Sequence, residues 1–473
     1  MATERIQPVG RPVVGAIRPP GSKSLTNRAL VVAGLAVGES LLVGGLDSQD
    51  TRLMAEAWQK LGAHVEWRPG SGRAGEPARF SRRTTHPTRS GARPAGGGWA
   101  TREQGAIKVL GTGGRLTPGP VEIFAGNAGT VMRFMTAAVA LGQGPYLLDG
   151  VARMRERPIG DLLEALGRLG VAARSTRANG CPPVVVEAQG LPGGSVTVAG
   201  TVSSQYLSAL LMAAPYAARD LEIRVSGELV STPYADLTCR LMADFGVKVE
   251  YEPYRWFLVP APQGYSGRCY AVEPDATAAT YFWSAAALTG GAVTVLGLSS
   301  HSAQGDVGFV HVLEQMGCRV KESPAAGPDR PAALTVRGPK RLRGLEVDLN
   351  AMPDTALTLA VLALFAEGET VIRNVANLRV KETDRLAALA AELRKFGAEV
   401  EELDDGLRIE PPLKPRAARV KTYSDHRMAM SFALAGLKVR GVEIAGAECV
   451  RKTFPDYFDR LRGLVSGKPP KSV

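Results

Sequence analysis

The sequence predicts an α/β protein made of two pseudo-symmetric domains, each of three β-α-β repeats with buried apolar helices. Three observations carry this expectation. First, one unit recurs six times: a short β-rich segment, a polar loop with Gly, Ser, Asn or Asp, then a helix rich in Ala, Leu and Met. Reference positions in the loops are Ser22, Asn127, Ser203, Asp275, Asp354 and Asp425, spaced 105, 76, 72, 79 and 71 residues apart. Recurrence at a near-constant period marks a repeated supersecondary unit. Second, five helical segments end in a glycine before a β pattern, at Gly62, Gly170, Gly246, Gly317 and Gly397, spaced 108, 76, 71 and 80. Glycine closes a helix well because it lacks the Cβ that penalises positive φ. Third, both series share one over-long first interval, and its excess is visible. Residues 68–104 hold seven Gly, four Pro and eight Arg, with only Glu76 and Glu103 against them. Such a stretch cannot bury a core and reads as a flexible insertion. The other 436 residues make six units of about 73.

Composition narrows the function classes. The 473 residues include 57 Lys and Arg against 46 Asp and Glu, a net charge of +11, which favours anionic partners. The insertion accounts for +6 of this, so the repeats carry only +5. Hydrophobic residues at 45% and charged residues at 22% exclude wholesale disorder. Five scattered cysteines without C-x-x-C spacing read as the reduced thiols of a cytoplasmic protein. Five histidines form no H-x-x-x-H or H-E-x-x-H pair, so no metal is expected. The N-terminus MATERIQPVG has no apolar core of a signal peptide. The most apolar stretch, Ala356 to Ala366, is shorter than the ~20 residues a bilayer span needs, so no membrane is expected.

Each loop should open a helix, whose first N–H groups lack partners and carry partial positive charge. Such ends bind anions. Capping alone would explain a single Ser, Asn or Asp, but these loops also carry cations and carboxylates that capping does not need. Loop one, GSKSLTNR, offers Lys23 and Arg28 as a phosphate or carboxylate clamp, or as a solvated basic face, with Ser24 as a cap. Loop two, GNAGTVMR, has Gly126 and Gly129, which let backbone N–H groups approach an anion or simply make a turn. In RMRERPIG, just before a helix with Pro158 at its start, one of Arg153, Arg155 and Arg157 reads as an anion ligand and the others as solvated. Loop three supplies the neutral hydrogen-bonders Ser203, Ser204 and Gln205, of which capping explains one serine. Loop five places Asp354 before a very apolar helix, as a cap or as a general base among cations. NLRVKETDR gathers Asn377, Lys381, Glu382 and Arg385; Lys381 and Arg385, one helical turn apart, would face one way. Loop six contributes His426 and Arg427, and RKTFPDYF sets Lys452 beside aromatic residues.

These strings, PPGSKSLTNRA, GNAGTVMR, RPIGDL, VSSQYLSALLMAAP, LNAMPD, NLRVKETDR, DHRMAM and KTFPDYF, run in order from residue 19 to 458. The chain closely resembles the 3-phosphoshikimate 1-carboxyvinyltransferases (5-enolpyruvylshikimate-3-phosphate synthases) of the enolpyruvyl transferase family. The resemblance implies two inside-out α/β domains of three repeats. One comprises residues 1–20 and 274–473 and the other 21–273, with crossings near Pro20–Gly21 and Glu273–Pro274. The domains close over the substrates. It also implies a monomeric cytoplasmic enzyme, without metal or organic cofactor, that moves the enolpyruvyl group of phosphoenolpyruvate to the 5-hydroxyl of shikimate 3-phosphate through a tetrahedral intermediate. On this resemblance Lys23, Ser24 and Arg28 clamp shikimate 3-phosphate. Ser203, Ser204, Gln205, Ser231, Asn377 and Lys381 are further ligands, with Tyr234 beside them. Lys23, Gly129, Arg157, Gln205, Arg385, Arg427 and Lys452 form the phosphoenolpyruvate site. Asp354 accepts a proton, Glu382 donates one, and Lys23 completes the catalytic set.

Two departures stand out: Phe134 where the family often has Pro, and the Arg-rich insertion. The nearest rival is the UDP-N-acetylglucosamine enolpyruvyl transferase family, which relies on a cysteine in a mobile loop. Here Cys181 lies outside every motif, and KETDR with DHRMAM favours the shikimate enzyme. A nucleic-acid-binding role of the insertion is the other alternative, weakened by its having only Phe80 and Trp99 as aromatics.

Overall fold

The computed structural model describes residues 2–69, 105–200, 203–327 and 330–467. Arg68, expected at the start of the insertion, instead ends the strand His64–Arg68, and from residue 70 to 104 the expected insertion lies outside the described residues.

The six loop-proximal helices are apolar nearly all round, so no face of them favours water. They are accordingly central. Lys23–Leu35, Gly129–Ala138 and Ser204–Ala213 pack together in one half, and Ala276–Thr289, Ala356–Ala363 and His426–Gly436 in the other. Four-stranded sheets and the more polar second helices lie outside them, which is the inside-out arrangement. Apolar side chains form two separate cores. One runs from Leu25 to Val272, the other from Ile6 to Ile17 and from Ala276 to Leu464.

The second unit shows the repeat in full. Strand Val121–Phe124, helix Gly129–Ala138 and the parallel strand Gln143–Asp149 form the expected β-α-β step. Helix Gly160–Arg168 and the hairpin of Ala172–Ser175 with Val184–Gln189 then extend it, the last strand pairing antiparallel with Gln143–Asp149. The third and fifth units repeat this order.

Units one and four exchange their first strands. Val14–Ile17, which precedes the first helix, pairs with Ala292–Leu296 in the sheet of unit four. Cys269–Ala271, which precedes the fourth helix, pairs with Glu39–Val43 in unit one. The two crossings run side by side: Ser22 N–H donates to the Glu273 carbonyl (2.8 Å) and Asp275 N–H to the Pro20 carbonyl (2.8 Å). Unit six is completed by the N-terminal strand Thr3–Arg5 against Glu443–Ala445.

Local signals held unevenly. All five helix-ending glycines take positive φ, between 87° and 102°. Ser22, Ser203, Asp275 and Asp425 cap their helices with side-chain oxygens. Ser22, not Ser24, caps the first helix, and Ser24 sits in its first turn. Asn127 and Asp354 are not caps: Ala128 precedes the helix after Asn127, and Asp354 lies inside the 3-10 turn Pro353–Thr355. Pro158 stands two residues before its helix rather than in it, and its carbonyl accepts from Arg133 and Tyr206.

The first helix packs on Gln49–Lys60 through Gly34, where a Cβ would lie 2.3 Å from the fully buried Trp58 ring. Gly34→Val should therefore destabilise by at least ~1–3 kcal/mol through overpacking, and Trp58→Ala by ~3–5 kcal/mol through a cavity. Urea unfolding followed by far-UV circular dichroism measures both.

Candidate active site

The central helices begin at the facing ends of the two halves, and the starts or loops of all but Ala276–Thr289 border one cavity. Lys23, Ser24, Arg28, Gly129, Arg157, Ser203, Ser204, Gln205, Ser231 and Tyr234 line it from one half. Asp354, Asn377, Lys381, Glu382, Arg385 and Arg427 line it from the other. Thr130 and Pro353 also line it, and neither was anticipated. Lys452 stands just behind, 3.6 Å from Glu382.

Arg385 organises the carboxylates. Its Nε donates to Asp425 Oδ2 (2.7 Å), Nη1 to Asp354 Oδ1 (2.8 Å) and Nη2 to Glu382 Oε2 (2.9 Å). Asp425 also accepts from Arg427 N–H at its helix start (2.9 Å). Arg427 Nη2 donates to the other oxygen of Asp354 (2.7 Å), so Asp354 bridges two guanidiniums. Lys381 and Arg385 do not share a helical face. Lys381 ends the 3-10 turn Ala376–Val380 while Arg385 opens the helix Arg385–Lys395, yet both reach the cavity.

Across the cleft, Asp50 holds Lys452 through both oxygens (2.7 and 2.8 Å) and lies 3.4 Å from Lys23. Asn127, the loop-two residue that caps nothing, accepts through its carbonyl from Lys452 (3.1 Å) and Arg157 (3.0 Å). A Cβ at Gly129 would lie 2.7 Å from Arg157 Nη2 and would push that guanidinium aside. Arg155 pairs with Asp149, and Arg153 reaches the opposite half instead of standing solvated.

Arg28 is held differently. Its Nε donates to Thr238 Oγ1 (2.8 Å), Nη1 to the Ser24 carbonyl (3.2 Å) and Nη2 to Ser208 Oγ (3.2 Å). The guanidinium carbon lies 5.1 Å from the Phe134 ring centroid and 5.4 Å from that of Tyr234, a cation–π arrangement. Ser231, at φ 57°, accepts from Asn377 Nδ2 (3.5 Å).

Burial and charge set the protonation states. Burial alone would raise Asp354, but Arg427, Arg385 and Lys381 overcome it and hold the carboxyl below its ordinary range. Glu382 is likewise held well below, against its burial, by Arg385, Lys452 and Arg157. Burial lowers Lys23, and brings Lys381 down to about 8 and Arg28 and Arg157 to about 10. His426, buried and with neither ring nitrogen hydrogen-bonded, is held well below its usual value by burial and by Lys23 and Arg427, so it is neutral. Among the described residues no cluster of His, Cys, Asp or Glu suits a metal ion, and no helix is long and apolar enough to cross a membrane.

Known proteins match this chain over nearly all its length. The family model described as EPSP synthase (3-phosphoshikimate 1-carboxyvinyltransferase) matches residues 8–87 and 99–461. This chain belongs to the EPSP synthase family. The break at 88–98 falls inside the Arg-rich stretch. The 3-phosphoshikimate 1-carboxyvinyltransferase of Nostoc punctiforme is 44% identical over 98% of this chain and 99% of its own length. That of Aeromonas salmonicida is 45% identical over 98% and 99%. The chloroplastic protein of Arabidopsis thaliana is 45% identical over 97% of this chain and 84% of its own length. In fold, the chain resembles EPSP synthase from Acinetobacter baumannii with a TM-score of 0.75 at 24% identity, covering 99% of each chain. It also resembles the enolpyruvyl transferase NikO from Streptomyces tendae with a TM-score of 0.70 at 18% identity, covering 98% and 96%.

The ion lattice of this EPSP synthase family member has a consequence for stability. Arg385→Met would leave buried carboxylates uncompensated, at a cost of about 3–5 kcal/mol at pH 7. Without Arg385 the Asp354 and Glu382 carboxyls lose one of the cations that oppose their burial and their pKa values rise, so acid relieves the variant. In the parent Asp354 and Glu382 are depressed, so acid removes their contribution only as pH falls below the unfolded carboxyl values near 4. The difference between the two proteins should thus shrink from pH 7 to pH 4 in denaturant titrations. A constant difference would place the carboxylates outside Arg385's influence.

Proposed function

We propose that this chain transfers the enolpyruvyl group of phosphoenolpyruvate to the 5-hydroxyl of shikimate 3-phosphate, releasing phosphate, in aromatic amino acid biosynthesis. The observation that carries this reading is the cavity itself. Cations from both halves surround Asp354 and Glu382, in a chain of the EPSP synthase family. Each substrate brings a phosphate and a carboxylate, and only a dense set of positioned cations can hold them together.

Lys23, Ser24, Arg28, Ser203, Ser204, Gln205, Ser231, Tyr234, Asp354, Asn377 and Lys381 hold shikimate 3-phosphate. Lys23, Gly129, Arg157, Gln205, Arg385, Arg427 and Lys452 hold phosphoenolpyruvate. In the addition step Asp354 takes the hydroxyl proton as that oxygen bonds to C2 of phosphoenolpyruvate, and Glu382 protonates the C3 methylene. In the elimination step a proton leaves C3, the C2–O bond to phosphate breaks, and phosphate departs among the cations. The surrounding cations hold both carboxyls ionised and weakly basic. Anionic substrate must therefore engage Arg385, Arg427 and Lys452 before either carboxyl gains proton affinity. That requirement ties proton transfer to a filled site.

Phosphate release with phosphoenolpyruvate plus either acceptor tests the assignment. Turnover with shikimate 3-phosphate and none with UDP-N-acetylglucosamine is expected, and the reverse would overturn it. Asp354→Asn and Glu382→Gln should each lower kcat by about 10²–10⁴-fold while far-UV circular dichroism stays unchanged. Near-parent rates would remove their roles. Since kcat/KM reports the free enzyme, its value for shikimate 3-phosphate should fall above pH about 8 as Lys381 loses its proton. In Lys381→Arg that alkaline limb should move upward; a limb that stays in place belongs to another group.

A further inference from the structure

Arg153 has no part in the reading above, and it does not line the cavity. It nevertheless spans the cleft between the two halves. Nε and Nη2 both donate to the Lys381 carbonyl (3.2 and 3.1 Å), Nη2 also approaches the Arg379 carbonyl (3.4 Å), and Nη1 is steadied by Glu156 in its own half (2.9 Å). The two carbonyls belong to the C-terminal end of the 3-10 turn Ala376–Val380 and its cap Lys381. Last-turn carbonyls lack partners within their own helix and carry partial negative charge, which a guanidinium fork satisfies. Arg153 therefore acts as a C-terminal cap delivered from the opposite half of the molecule.

The turn it caps sets three side chains of the site: Asn377 within it, Lys381 at its end and Glu382 next. We propose that Arg153 is a positioning residue that locks this turn when the two halves meet, so that the acceptor side of the cavity is fully ordered only in the closed molecule. The proposal rests on the assignment of Asn377 and Lys381 to shikimate 3-phosphate. Neither Arg155 nor Glu156 could substitute, because Arg155 is engaged with Asp149 and Glu156 carries the wrong charge.

Steady-state kinetics of the full chain with Arg153→Ala and Arg153→Lys, run beside the parent, test it. Hydrogen exchange of residues 376–384 without ligand is measured in parallel. Loss of a charge-assisted cap predicts a fall of about 10- to 100-fold in kcat/KM for shikimate 3-phosphate in Arg153→Ala. KM for phosphoenolpyruvate should shift far less, exchange in 376–384 should quicken, and Lys should restore part of the loss. Melting temperatures should stay close to the parent's. Parent-like kinetics and exchange in Arg153→Ala would overturn the proposal, as would an equal rise of both KM values with a lowered melting temperature. Should the parent itself turn over neither substrate, the substrate assignment fails, and exchange alone decides whether Arg153 holds the turn.

Discussion

The contact of Arg385 with three carboxylates is the constraint on which the rest of the site depends. Placing apolar helices at the centre aims their N-termini, already partly positive, into one space. Lys23, Arg28, Arg157, Lys381, Arg385, Arg427 and Lys452 then add full charges where little water remains. Two unit charges 4 Å apart interact by about 1 kcal/mol in water and about 4 kcal/mol near a protein surface. Such an assembly needs internal counter-charges, and Asp354, Glu382 and Asp425 supply them around Arg385, with Asp50 doing so around Lys452 and Lys23. The same carboxylates that balance these cations include the two assigned to proton transfer. Stability of the resting state and readiness for chemistry thus pull on one set of ion pairs.

The strand exchange ties the two halves together. Val14–Ile17 is anchored in unit four and Cys269–Ala271 in unit one, so each crossing has a paired strand before it and a buried helix after it. Beside the crossings, the Lys23 N–H donates to Asp275 Oδ2 (3.2 Å), which ties loop one to loop four. Farther out the halves meet through side chains, as Arg153 does with the Lys381 carbonyl and Lys452 with Asp50.

What was legible in the sequence followed a physical rule. Residues whose chemistry exceeds the needs of their local structure stood out: Lys23 and Arg28 beside a cap, the Lys381–Glu382–Arg385 run, and Arg427 after Asp425. Asp50 did not, because an acid in the first turn of Gln49–Lys60 looks like an ordinary dipole partner. Only the fold brings it to Lys452, 402 residues away. Arg153 read as solvated because its acceptors are backbone carbonyls, which no side-chain pattern announces. The exchanged strands were hidden for a similar reason. Each precedes a helix as a repeat demands, and the choice of sheet is made by tertiary pairing.

Arg28 marks the limit of the counter-ion scheme. Among the described residues it has no carboxylate partner; hydroxyls, a carbonyl and two rings hold it instead. Burial lowers its pKa only to about 10, so it stays charged at neutral pH. Phe134, the departure from the family's frequent proline, forms one face of this support and is itself buried. Ring faces offer attraction without a formal negative charge, so they orient the guanidinium while leaving its charge unneutralised. The cavity is therefore asymmetric. An anion meeting Arg28 displaces no internal carboxylate, whereas one meeting Arg385 or Arg427 competes with Asp354. The first contact is preorganised; the second must rearrange the ion pairs that hold the proton-transfer groups ionised.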